Sequence, residues 1–460
     1  MKNIIPHCVS RLRSFSISRQ MLSVLSCVIV TTLFASEKNY SPEGIRLTKS
    51  QVTSGTAHHL FGYIGQSLTI PWNATDRYIV ALQTDFHDRL PGPGDAADVV
   101  LVDTHNDNAM VVLDQTFGWN LQQGTMLYWN PAKPATQFFF NDRDPIDGRV
   151  FTVLYDIEAG KRIREFRYEN YSVGNSGVAP VGTTFAAINY GRMGSLRPVT
   201  GYAGAMDETK GKNAPENDGI FLIDSETGEE RILVSFSRIA KLLKMVAHWE
   251  VIKKRWTPVK SSEPGEEQPD TTEAALYVNH TLFNRGGDRL YFIARGRKGK
   301  QSIWLNVPCS IKTDGTELVA HTTSVGGHPE WGEVDVIIGA YDGQQVVYDV
   351  VQQKLLPERT MGDRSIFPNP EGDVSLSPDG KWFVNGYSNN ERGAIRYVVM
   401  RLSDGAYVRS EWFDRGPYTK GDLRTDPAPR WNRASNAILV PGWTEDGTRQ
   451  LFVLNVNEGR

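Results

Sequence analysis

The sequence predicts an all-β fold, a seven-bladed β-propeller, and three observations point to it. A unit built from a β-branched apolar run, an Asp or Asn, a Gly-containing turn and a second β run recurs seven times. The 42 Gly and 24 Pro supply the many turns that a chain of short strands requires. At 460 residues the chain exceeds one ordinary compact core, which a repeat architecture accommodates within a single domain.

Taken in order, the first element is a leader. Lys2, Arg11, Arg13 and Arg19 form a basic stretch, Met21 to Phe34 is an apolar run, and Ala35-Ser36 is a small-residue cleavage site. Residues 1–36 are therefore expected to be a signal peptide, leaving 37–460 as an exported, periplasmic or extracellular protein. An uncleaved anchor is the alternative. Val24-Leu25-Ser26-Cys27 loosely resembles a lipoprotein box, but the apolar run continues past Cys27. No later stretch is long enough to span a bilayer, so no membrane association is expected of the mature part. Cys8 and Cys27 fall in the leader, so Cys309 has no internal disulfide partner and reads as a small core hydrophobe.

The seven units lie at Ala97 to Thr116, Gly148 to Phe166, Gly219 to Phe236, Gln301 to His321, Gly343 to Glu358, Ala394 to Phe413 and Arg449 to Arg460. Each reads as the outer hairpin of a blade. Segments such as Leu376 to Val384 and Asn284 to Phe292 supply the inner strands. The last unit ends after one strand, and Ile45 to Ser54, with alternating polarity, is expected to pair with it and close the ring. Ser237 to Trp256 places Ile239, Leu242, Leu243, Val246 and Trp249 at helical spacing. It predicts an inserted amphipathic helix, followed by a polar surface loop over Val259 to Thr272, so that the insertion spans 237–273.

A net charge of −3 provides no field for nucleic acid, which is excluded as a partner, and a monomer is expected. No GxSxG elbow, HExxH helix, CxxC pair or P-loop occurs, so serine hydrolases, zincins, thiol redox enzymes and phosphate cradles lack motif support. The candidates are instead polar clusters in apolar inner-strand contexts. They are Asp85 to Arg89, including His87; Trp119 to Gly124 with Asn141 to Asp144; Asn189 to Arg192 with Arg197 and Tyr202; and Asn279-His280 with Gly327 to Trp331. In a propeller such distant residues converge at the channel mouth. A hydrogen-bonded role inside the blade is the competing reading of each cluster.

The runs Trp119-Asn120-Leu121-Gln122-Gln123-Gly124, Asn141-Asp142-Arg143, Pro215 to Ile220, Asn279 to Asn284 and Asp426 to Trp431 resemble bacterial propellers related to the oligogalacturonate lyases. The resemblance implies a seven-bladed propeller that cleaves uronic-acid polymers by β-elimination with a divalent metal such as manganese. Ulvan lyases share that architecture. It assigns His280 as the base and His328 as a metal ligand. The family's Thr-His-Pro-His-Pro run reads Thr425-Asp426-Pro427-Ala428-Pro429 here, and the expected glutamine falls at Leu423. Asp426 joins His328 as the remaining candidate ligand, for manganese or calcium.

Elimination needs a base at the proton beside the uronate carboxylate and a cation to neutralise that carboxylate. Arg192 and Arg197 suit the second role by residue type, with Tyr190 beside them in the catalytic set. Trp119, Gln122, Gln123, Arg143, His87 and Tyr202 are the expected contacts to an acidic oligo- or polysaccharide. The competing function is a non-catalytic propeller of the TolB or YncE kind, binding a glycan or a protein.

Overall fold

Six of the seven recurring segments are pairs of antiparallel strands, and the seventh is a single strand, in the computed structural model, which describes residues 44–62, 68–245 and 274–458. Ala97–Asp103 pairs with Ala109–Thr116, Val150–Asp156 with Lys161–Phe166, Gly219–Asp224 with Glu230–Ser235, and Gln301–Lys312 with Val319–Ala320. Gln344–Asp349 pairs with Lys354–Leu355 and Ala394–Arg401 with Tyr407–Arg409. The segment starting at Arg449 finds its partner 400 residues upstream: Ile45–Gln51 lies antiparallel to it, from Ile45 opposite Glu458 to Gln51 opposite Phe452.

Two inner strands precede each pair, so the chain is a succession of four-stranded antiparallel meanders. The first four are separate sheets. The remaining groups belong to one 14-stranded sheet, in which single bridges, His328 to Asp373 in parallel and Asp414 to Trp443 antiparallel, join neighbouring groups. The second strands explain the core. Gln137–Arg143 (QFFFNDR) is buried along its whole length, because both faces pack on neighbouring sheets. Outer strands keep the alternation of a half-exposed edge, as in Lys161–Phe166.

In four of the groups a turn leading into the second strand repeats the same chemistry. Asn73 Oδ1 accepts the amides of Arg77 and Tyr78, Asn284 Oδ1 those of Asp288 and Arg289, and Asn432 Oδ1 those of Asn436 and Ala437. Ser377 Oγ does the same for Trp382. Indoles then latch one group to the previous one. Trp129 donates to Pro71 O at 2.7 Å, Trp331 to Leu282 O at 2.8 Å and Trp431 to Ser375 O at 3.2 Å.

Two α-helices interrupt the strands among the described residues. Helix α1 (Tyr190–Leu196) is capped by Asn189, whose side chain accepts the Arg192 amide. Helix α2 (Phe236–Met245) buries Phe236, Ile239, Ala240 and Leu243. It covers the start of the helix expected over Ser237 to Trp256. The remainder of that helix, the loop over 259–272 and the expected leader at 1–36 lie outside the described residues. Among the described residues no helix is long and apolar enough to cross a membrane.

Candidate functional site

His280 stands at a break in its own strand. Within Ala275–Phe283 the pairing jumps from Asn279 opposite Ile293 to Leu282 opposite Tyr291, and His280 adopts the left-handed backbone at φ 58°. A bulge with a non-glycine residue at positive φ is sparsely populated and is held only where surrounding contacts enforce it. Here they do. Asn279 Oδ1 accepts the His280 amide at 3.0 Å and also Gln123 Nε2 at 3.1 Å, from a loop 156 residues earlier. Thr281 Oγ1 ties the other side to Ser176. The His280 ring is thereby set 5.4 Å from that of His328. Desolvation, then the charges of Arg295, His328 and Arg197, hold the His280 imidazole well below its ordinary pKa, so it is neutral at neutral pH.

His328 lies on Gly326–Trp331, in parallel register with Asp373 on the neighbouring group. Its Nδ1 is hydrogen-bonded to Asp373 Oδ1, and Asp373 Oδ2 accepts the Ala428 amide at 2.7 Å. Ala428 makes this bond from a left-handed backbone at φ 40°. Burial by itself would raise Asp373, but the adjoining His328 and these hydrogen bonds keep it below the usual carboxylate range. Asp426 is raised instead, by burial and then by the like charge of Asp373; its Oδ1 accepts Arg424 Nε at 2.9 Å and its Oδ2 is buried without a partner among the described residues.

The turn carrying Gln122 and Gln123 links distant parts of the molecule. Asn120 bridges to Gly124 and its Oδ1 accepts the amides of Gln122 and Gln123. Gln122 Nε2 then reaches Asp422 O and Arg424 O, both at 3.1 Å, while Gln123 reaches Asn279. Gly62 is required beside it: a Cβ there would stand 2.6 Å from Gln123 O. Both glutamines are buried, so as the chain stands they brace the site rather than face solvent.

Other expected residues are engaged elsewhere. Arg192 is buried and donates to Leu276 O, Thr209 O and Oγ1, Lys212 O and Asn213 O, which makes it a strut among backbone carbonyls. Tyr190 and Tyr202 stack 4.1 Å apart and bond Asn175 O and Asn141 Nδ2, and burial pushes both phenols up, away from proton transfer at neutral pH. Arg143 bonds Pro93 O and Asp144 O. Trp119 donates to Asp95 O and lines a cleft of about 240 Å³ with Leu90, Pro91, Pro198 and Tyr202. His87 is buried against Tyr418 and Trp443, with ring centroids 4.6 and 5.2 Å away. Arg197 acts electrostatically on His280, as does Arg295, which no sequence pattern singled out because it looks like any strand cation. Asp373, in an unremarkable Glu-Gly-Asp-Val context, was equally illegible.

A divalent ion does not fit this donor set. Among the described residues no three His, Cys, Asp or Glu converge on one point. The His328 Nδ1 and both Asp373 oxygens are occupied, Ala428 contributes an amide rather than a ligand, and Asp426 is bound to a guanidinium.

No family model and no curated protein matches the chain. A solved oligogalacturonate lyase in complex with manganese superposes with a TM-score of 0.54 at 13% identity, over 90% of this chain and 98% of the other. The Myceliophteria thermophila Cps50 (Swd1) β-propeller domain (TM-score 0.45, 14% identity, 90% and 99% covered) and TolB from Acinetobacter baumannii (0.38, 11%, 90% and 96%) are further matches. At these identities the first match speaks for the fold, and the fold is a β-propeller.

Proposed function

We propose that the chain is an exported, monomeric seven-bladed propeller, its ring closed by Ile45–Gln51, that binds an acidic oligo- or polysaccharide beside His280 and cleaves it by β-elimination. The observation that carries this reading is the bulged, left-handed His280, a neutral imidazole 5.4 Å from the His328 ring and in the field of Arg295 and Arg197. A titratable residue held at positive φ in a strand bulge, in the field of two cations, suits a base that works on an anionic substrate. The short motifs shared with the oligogalacturonate lyases support the same substrate class.

In the reaction, His280 takes the proton from the carbon beside the uronate carboxylate. The C–H electrons form the new C=C bond, and the C–O bond to the next sugar breaks. The departing oxygen is protonated from solvent. Arg197 and Arg295 neutralise the carboxylate and the enolate-like charge that develops on it. No step depends on a metal.

The test is incubation with polygalacturonate and ulvan, with and without manganese, while following the ultraviolet absorbance of the unsaturated product. Product should form in both conditions, with the rate unchanged by chelator, and His280→Ala should lower it by about 10²-fold or more. Absence of unsaturated product on every uronate polymer would sink the lyase reading. A non-catalytic glycan-binding or protein-binding propeller is the second reading, and the engagement of Arg192 in the framework favours it.

A further inference from the structure

Arg449 and Arg192 are both buried, at 4% and 2% exposure, yet they are treated oppositely. Arg192 meets five carbonyl or hydroxyl acceptors between 2.6 and 3.2 Å. The Arg449 guanidinium has a single long bond, from Nη1 to Leu121 O at 3.3 Å, and its Nε is buried with no partner among the described residues. A buried cation with most of its donors unused is costly in a folded protein unless something completes its shell. The carboxylate that acts on it does not: Asp426 reaches Arg449 only through its field and gives its Oδ1 to Arg424. Asp85 and Asp88 lie close enough to act on His58, which accepts the Arg449 amide through Nδ1 at 3.0 Å.

The surroundings suit a sugar. His58, His87, Tyr418 and Trp443 form a cluster of rings with centroids 4.6 to 5.8 Å apart. His87 Nε2 donates to Leu423 O at 2.9 Å, which leaves Nδ1 as a bare acceptor, buried and without a partner among the described residues. One under-bonded guanidinium, one unused acceptor and a wall of aromatic faces together match a carboxylate, a hydroxyl and a pyranose ring.

We propose that Arg449 anchors a second anion subsite, which takes the carboxylate of a uronate unit next to the one cleaved at His280. The identity of the anion as a uronate rests on the reading of the previous section. The existence of the subsite rests on Arg449, His87 and the ring cluster.

The experiment measures calorimetric binding of trigalacturonate to the full chain in a His280→Ala background, where no turnover interferes. Its methyl-esterified form serves as the neutral probe. Adding Arg449→Gln should weaken trigalacturonate about tenfold or more and leave the ester unchanged. Arg449→Lys, which keeps the charge but not the planar fork, should fall between. Equal affinity for trigalacturonate in a folded Gln variant overturns the subsite, and so does equal affinity in the Lys variant should the Gln variant fail to fold. Acid-specific binding lost with Arg449 in a protein that releases no unsaturated product upholds the subsite while ending the lyase reading. Elimination that proceeds with binding indifferent to Arg449 does the reverse.

Discussion

His87 carries an acid-sensitivity that its burial imposes. Desolvation and the nearby Arg449 charge depress its pKa from 6.5 to about 3. In the unfolded chain the ring takes up a proton below about pH 6.5, whereas the folded state refuses it until about pH 3. Its contribution to stability is therefore full above pH 6.5 and is lost as pH falls. Between pH 6.5 and 5 the loss from this residue should be on the order of 2 kcal/mol. Urea midpoints of the wild type should drop across that window, and His87→Gln, which keeps a donor for Leu423 O, should flatten the drop. An unchanged slope would show that His87 is not the titrating group. The same scale separates Arg192 from Arg449: both are buried arginines, and only the acceptors that the fold brings to each distinguish a strut from a candidate ligand group.

At the scale of elements, the strand Ala275–Phe283 depends on a loop from another sheet. Gln123 holds Asn279 by one hydrogen bond, and Asn279 Oδ1 in turn holds the His280 amide, so the bulge is fixed from outside its own sheet. Asn279→Ala removes both bonds, and Gln123→Ala removes one and leaves Asn279 Oδ1 to the amide alone. With His280 as the base of the proposed reaction, its displacement by about 1 Å costs on the order of 10²-fold in rate. The Asn279 variant should therefore lose about that in kcat with KM within about twofold, and the Gln123 variant less. The imidazole resonances of His280, read by NMR in the full chain, should shift in both, while those of His321, bonded to Tyr348 and Ser310, should not. Unmoved His280 signals in both variants would show that the bulge keeps its own shape.

For the whole molecule, the decisive contact is the pairing of Ile45–Gln51 with Arg449–Glu458, which ties the two extremes of the described chain together. Arg46 and Asn457 are exposed partners across that ladder, and antiparallel Cα partners lie within the span a disulfide bridges. Arg46→Cys with Asn457→Cys should oxidise to an intramolecular bond, seen as thiols protected from alkylation, and should raise Tm because it closes a very long loop. Cys309 is buried and should not compete. A pair that stays reduced under mild oxidant would contradict this register. This pairing matters to the site as well, since the last group contributes both Arg449 and the segment bearing Asp426 and Ala428.

The sequence by itself determined the local architecture: β-branched runs, Asn-led turns and glycines specify hairpins through interactions within a few residues, so six outer pairs could be read from it as hairpins. His280 and His328 were named together through short motifs that resemble the oligogalacturonate lyases, whereas the bulge at His280 and the 5.4 Å between the two rings were decided by the fold. Asp373 behind His328, Arg295 beside His280, and the opposite fates of Arg192 and Arg449 were decided only by tertiary structure. Hydrogen-bond satisfaction and desolvation depend on which atoms arrive from other sheets, and no spacing along the chain encodes those arrivals.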